Sequence, residues 1–249
     1  MNNYKITIQY DGTRYKGWQG QNSTDLTIQG KIEETLTRLL GETVEIDGAG
    51  RTDAGVHALG QSANFHTDRK LDPEKLKAEL NTYLPEDIGV VRVEEVPERF
   101  HSRLNALGKT YRYRVATGEG KNVFERKQIY PLNQPLDVEA MRLGAALLVG
   151  EKDFRGFSSM KKTKKSTVRR LESVKIRELP GEVEFDFTGN GFLYNMVRIL
   201  TGTLLEIGMG KREPESIGKV FQKNDRNLAG FTAPARGLML VEVFYPKNS

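Results

Sequence analysis

Apolar and polar residues alternate in YKITIQY, Tyr4 to Tyr10, and the run stops at Asp11-Gly12; the pattern predicts a strand closed by a turn. A spacing of three and four follows. Ile28, Ile32, Leu36, Leu39 and Leu40 fall on one face of a helix. TVEIDGAG and LGQSANFHT read as the strands before and after a Gly-rich stretch, which puts Asp53 on the loop that joins them. Asp72 as N-cap, Pro73 at the first helical position and Leu76, Leu80 and Leu84 mark a second helix. IGVVRVEEV is a further strand.

The order strand, helix, strand, strand, helix, strand then recurs. KTYRYRVAT is a strand, and DVEAMRLGAALLVG is a helix with Met141, Ala145 and Leu148 on one side. STVRRLESVKIREL and EVEFDFTG are two strands joined at Pro180-Gly181. FLYNMVRILTGTLLEIG is an apolar helix of the kind that is buried, EPESIGKVFQK a shorter helix and GLMLVEVFY a last strand. Residue identities barely repeat, so the duplication is architectural. The expected fold class is α+β: two ferredoxin-like, RRM-like βαββαβ halves forming one extended mixed or antiparallel sheet, with helices on one face and a cleft between halves. The expected boundary gives residues 1–100 and 101–249, with the join near Arg99 to Gly108.

Composition narrows the class. A chain of 249 residues with 37% hydrophobic and 29% charged residues suits one large domain or two small ones. Mean hydropathy is −0.54, and no apolar run reaches membrane-spanning length. MNNYKITIQYDG lacks the layout of a signal peptide, and there is no cysteine for a disulfide or a thiolate metal site. These features point to the cytoplasm. A net charge of +5 and a pI near 9.2 favour a polyanionic partner. MKKTKKSTVRR, Met160 to Arg170, concentrates six cations (Lys161, Lys162, Lys164, Lys165, Arg169 and Arg170) without one acid; it reads equally as a solvated loop or as a phosphate-binding segment.

The chemistry candidate is Asp53. An aspartate in a Gly-rich turn ordinarily bonds its own backbone. Gly48, Gly50 and Gly55 around Arg51-Thr52-Asp53 instead suit a backbone shaped around a ligand. The three histidines, His57, His66 and His101, supply no third metal ligand at a useful spacing. No G-x-S-x-G elbow, paired carboxylate or phosphate loop is present. What remains is a carboxylate held ionised by a cation and used as a nucleophile or base. Arg51, two residues away, would share a face with Asp53 on a strand end, and a second arginine could complete the pair.

These residues resemble a known family. GRTDAGVHA is similar to the motif around the catalytic aspartate of the tRNA pseudouridine synthase I (TruA) family, and YDGTRYKGWQ, FHSRLNALGKTYRYRV, NGFLYNMVRILTGTLLEIG and GLMLVEVFYP resemble its other segments in the same order. The resemblance implies that Asp53 is the catalytic aspartate and Arg51 the motif arginine. It further implies that Tyr111 packs on the target base, that Arg198 pairs with the aspartate and that Leu240 borders the pocket. From the residues alone, Tyr111 reads as strand core and Leu240 as ordinary core. Arg198, between Val197 and Ile199 in an apolar helix, is a cation that requires partners. Two positions depart from the family pattern: Gly20 follows Gln19, and Lys109-Thr110 precede Tyr111.

The implied reaction cuts the N1–C1′ bond of a uridine, rotates the base and joins C1′ to C5, with no cofactor. The implied substrate is the anticodon stem-loop of tRNA at positions 38 to 40, and the implied assembly is a homodimer. Arg14 and Lys16 join the Lys161 to Arg170 segment as candidate RNA contacts. Two alternatives stay open: a relative acting on ribosomal RNA or another tRNA site, and a non-catalytic RRM-like module. The second would carry an aromatic-rich K/R-G-F-G-F-V segment, which this chain lacks.

Overall fold

The computed structural model describes residues 1–120, 123–161 and 165–246. In chain order the first series is β1 (Asn2–Tyr10), α1 (Ile28–Leu40), β2 (Asp47–Gly48), β3 (His57–Thr67), α2 (Pro73–Tyr83) and β4 (Ile88–Val96). The second is β5 (Gly108–Ala116), β6 (Tyr130–Pro131), α3 (Val138–Leu148), β7 (Gly150–Asp153), β8 (Val168–Leu179), β9 (Glu182–Gly189), α4 (Met196–Gly208), α5 (Ser216–Lys223) and β10 (Leu238–Phe244). The fold is α+β: the first series runs βαββαβ, and the second keeps that order with the helix α5 and two short strands added, β6 and β7, which the sequence pattern does not predict. Two compact units result: Met1–Leu107 with Met239–Ser249, and Gly108–Leu238.

In the first unit β1 lies between β4 and β3, antiparallel to both, and β2 pairs with β3. The alternation in YKITIQY decides the burial: Tyr4, Ile6, Ile8 and Tyr10 are buried, while Gln9 is exposed. The Asp72 carboxylate accepts from the amides of Glu74 and Lys75, which opens α2 as its sequence predicts. β10 closes the second series in chain order, yet from Met239 onward it belongs to this unit. It runs parallel to β3, with Met239 opposite His57 and Leu240 opposite Ala58.

One predicted strand is shorter than its pattern suggests. In TVEIDGAG only Asp47–Gly48 are strand, although Val44 and Ile46 are buried. Side chains of α1 take the backbone groups that a ladder would have used. Thr37 Oγ1 accepts from the Val44 amide, Glu33 Oε1 accepts from the Ile46 amide, and Gln29 Nε2 donates to the Ile46 carbonyl.

In the second unit the order is β5-β9-β8-β7, antiparallel throughout, with β6 parallel on the edge of β5. Tyr111, Tyr113 and Val115 of β5 and Val183, Phe185 and Phe187 of β9 are buried. The alternate positions carry an ionic ladder. Arg112 and Arg177 both reach Asp186, and Arg114 holds Glu182 through two bonds. α4 is nearly all buried, as its apolar sequence predicts, but it starts four residues later than the apolar run, at Met196. Asn195 ahead of it is left-handed, with φ of 59°, and turns the chain out of the helix.

Candidate active site

Asp53 opens a tight turn. Its carbonyl accepts from the Val56 amide at 3.1 Å, and Gly55 stands third in the turn with φ of +77°. A positive φ at that position is what a type II turn requires, and glycine supplies it without strain. The residue just before the turn is tied to a remote segment: the Trp18 amide donates to the Thr52 carbonyl at 3.0 Å. Gly17, with φ of +102°, brings its backbone so close that a Cβ there would lie 2.7 Å from the Thr52 oxygen. Trp18 itself is 2% exposed, with its indole over Gly48 and its ring 6.1 Å from that of Tyr10.

Side chains complete the frame. The Tyr10 hydroxyl and Thr52 Oγ1 are 2.8 Å apart, and burial pushes the Tyr10 phenol far above its ordinary range, so it stays protonated. Gln61, fully buried, donates to the Gly50 carbonyl at 2.9 Å. His57 is buried immediately after the turn. Its Nδ1 accepts from the Gly12 amide at 3.1 Å and lies 3.2 Å from Asp11 Oδ1. The YDG turn and the Asp53 turn are therefore fixed to each other. Within this frame the Asp53 side chain is half-buried.

Other candidates in this unit sit differently from one another. Arg51 is exposed, and residues 51–53 form no strand, so the shared-face argument for Arg51 and Asp53 does not apply; the turn starting at Asp53 replaces the strand end. Leu240 is fully buried on β10, next to Ala58 of β3. Arg14 is exposed but tied to Asp87, with Nε to Oδ2 at 2.5 Å, while Lys16 is exposed.

In the second unit the candidates lie on different elements. Tyr111 is buried on β5, and its ring meets Phe192 edge-on at 5.2 Å and 82°. Arg198, half-buried on the first turns of α4, donates from Nε to the Ala233 carbonyl at 2.6 Å and from Nη1 to Asn195 Oδ1 at 2.9 Å. The left-handed Asn195 thus aims the guanidinium. Of the basic segment, Lys161, Lys165 and Arg170 are exposed, and Arg169 is half-buried with Nη1 donating to the Ser166 and Val168 carbonyls. Lys162 and Lys164 lie outside the described residues.

Sequence reasoning from the residues gave no part to Gly17, Trp18, Tyr10, Gln61 or Asn195. Their contacts are mostly to backbone atoms distant in the chain, which leaves no periodic trace. The available signal was the resemblance of YDGTRYKGWQ for Tyr10, Gly17 and Trp18 and of NGFLYNMVRILTGTLLEIG for Asn195.

The family described as tRNA pseudouridine synthase matches residues 6–105 and 145–246. This chain belongs to that family. Among relatives of the tRNA pseudouridine synthases, the chain is 48% identical over 243 residues to tRNA pseudouridine synthase A 2 of Bacillus cereus (strain ZK / E33L), covering 98% of this chain and 99% of the relative. It is 47% identical to tRNA pseudouridine synthase A of Bacillus sp. (strain KSM-64), covering 96% and 98%. It is 43% identical to tRNA pseudouridine synthase A 1 of Clostridium tetani (strain Massachusetts / E88), covering 98% and 100%. Arg51, Asp53, Arg198 and Leu240 fall within the family's matched residues, and Tyr111 falls between the two stretches.

Proposed function

We propose that the chain is a tRNA pseudouridine synthase that isomerises uridine in the anticodon stem-loop, with Asp53 as the nucleophile. The observation that carries the reading is the Asp53 turn: a half-buried carboxylate on a backbone clamped by the Trp18 amide and the close approach of Gly17. Such rigidity is what a nucleophile needs to meet one atom of a bound base repeatedly. The carboxylate adds to C1′ of the sugar or to C6 of the base, or assists loss of a C2′ proton. By any of these routes N1–C1′ breaks, C1′–C5 forms, the C5 hydrogen leaves to water and N1 takes a proton. Electrons balance without a redox partner.

In this reading Arg198 and Arg51 favour the ionised carboxylate electrostatically. Tyr111, propped by Phe192, stacks on the detached base, and Leu240 gives the pocket an apolar wall. The target uridine must leave its stack, at a cost of a few kcal/mol that phosphate contacts offset. Lys161, Lys165, Arg169, Arg170, Arg14 and Lys16, together with Lys162 and Lys164, are assigned to those contacts. The enzyme is taken as a cytoplasmic homodimer.

The test uses unmodified tRNA carrying tritium at uridine C5. Wild-type protein should release tritium to water, and Asp53→Asn should lower the rate at least about a thousandfold while binding tRNA within about twofold. Near-wild-type release by the variant would remove Asp53 from the chemistry. Tight binding without release by the wild type would favour an RNA-binding module or a different RNA target.

A further inference from the structure

We propose that Tyr194 is a stacking platform for an unpaired base of the RNA. The inference rests on the reading of the chain as an RNA-modifying enzyme. It concerns a residue with no assigned part in the chemistry above.

The turn from β9 into α4 divides its side chains sharply. Phe192 meets Tyr111, Leu193 is buried, and Asn195 orients Arg198. Between them Tyr194 is 55% exposed. An aromatic ring left this open serves no core.

The turn is also held from several sides. The Ser159 amide donates to the Tyr194 carbonyl at 3.1 Å, and Asn195 Nδ2 donates to Ser159 Oγ at 3.2 Å. The Asn190 amide donates to the Arg170 carbonyl at 3.1 Å, and Asn190 Oδ1 accepts from the Arg170 amide at 3.0 Å. Arg169 lies over Gly191, with its Nε 3.6 Å from where a Cβ would stand. An exposed ring on a pinned backbone loses little freedom when a base stacks on it.

Its neighbours supply the charge. Ser159 leads directly into the basic segment, where Lys161 and Lys165 are exposed, and Arg169 and Arg170 follow on β8. An exposed aromatic ring together with cations is the arrangement by which proteins hold single-stranded nucleic acid: the ring takes a base and the cations take the phosphates. Asn195, next in the chain, also accepts from Arg198, which adds a further cation to the same turn.

The test measures a stem-loop transcript with tritium at uridine C5, and a second set of transcripts with 2-aminopurine at single loop positions. Tyr194→Ala should raise KM and Kd about tenfold, leave kcat within about twofold, and abolish fluorescence quenching at one loop position. Tyr194→Phe keeps the ring face and should restore both affinity and quenching. Unchanged affinity and quenching in Tyr194→Ala would overturn the proposal. So would a Tyr194→Phe defect equal to that of Tyr194→Ala, since a hydroxyl contact would then explain the loss. If the wild type binds the transcripts but releases no tritium, the catalytic reading falls alone, and quenching still decides Tyr194.

Discussion

At Gly17 a single missing methyl group sets the shape of the Asp53 turn. A Cβ would meet the Thr52 oxygen at 2.7 Å, and φ of +102° is a conformation that other residues adopt at a cost. Gly17→Ala should cost about 1–3 kcal/mol of stability. It should lower kcat at least tenfold, roughly what a small misplacement of a catalytic group costs. Thermal melting and tritium release check both. Asp53 could be found in the sequence because three glycines and an arginine surround it. Its clamp could not, because Trp18 and Thr52 meet through backbone atoms 34 residues apart, and any side chain permits that bond. Arg198 shows a similar limit. A cation in an apolar helix announced that it needed partners, but the Ala233 carbonyl and the Asn195 carboxamide had to be seen.

Among the elements, alternation predicted well wherever a strand has one wet face. KTYRYRVAT and EVEFDFTG each put aromatic residues inward and charges outward, so their pairing sets arginines against acids. Asp186 accepts from Arg112 and Arg177; burial alone would raise its pKa, but those two bonds outweigh it and hold the carboxyl below the ordinary 3.8. A depressed folded-state value means that the ionised form stabilises the fold. That stabilisation is complete above the ordinary carboxylate range and is lost as pH falls below 3.8 through the lower folded value. Asp186→Asn should therefore cost about 1–2 kcal/mol at neutral pH and much less under strong acid, as denaturant melts at several pH values would show. TVEIDGAG is strand only at Asp47–Gly48, because alternation reports which side chains are buried and not what bonds the backbone. There Thr37, Glu33 and Gln29 stand in for a neighbouring strand.

At the scale of the whole molecule, charge and connectivity matter most. With a net charge of +5, tRNA affinity should fall as salt rises. Replacing Lys161, Lys165 and Arg170 together with Gln should reduce the slope of log K against log salt by about 2, as filter binding at several salt concentrations would measure. An unchanged slope would return the segment to a solvated loop. The main elements are legible from periodicity in both series; β6 and β7 are not, since two and four residues are too few to show an alternation. That the residues from Met239 onward belong with the first unit is not legible either, since a strand's own alternation does not name its neighbour. This return has a consequence in time. A ribosome makes the Asp53 turn early, but the strand that lies beside His57 and Ala58 begins only about 180 residues later. At 5–20 residues per second that is an interval of roughly 9–36 s, during which the whole second unit is synthesised while the first still has an open edge. The order of maturation is the reverse of the order of synthesis.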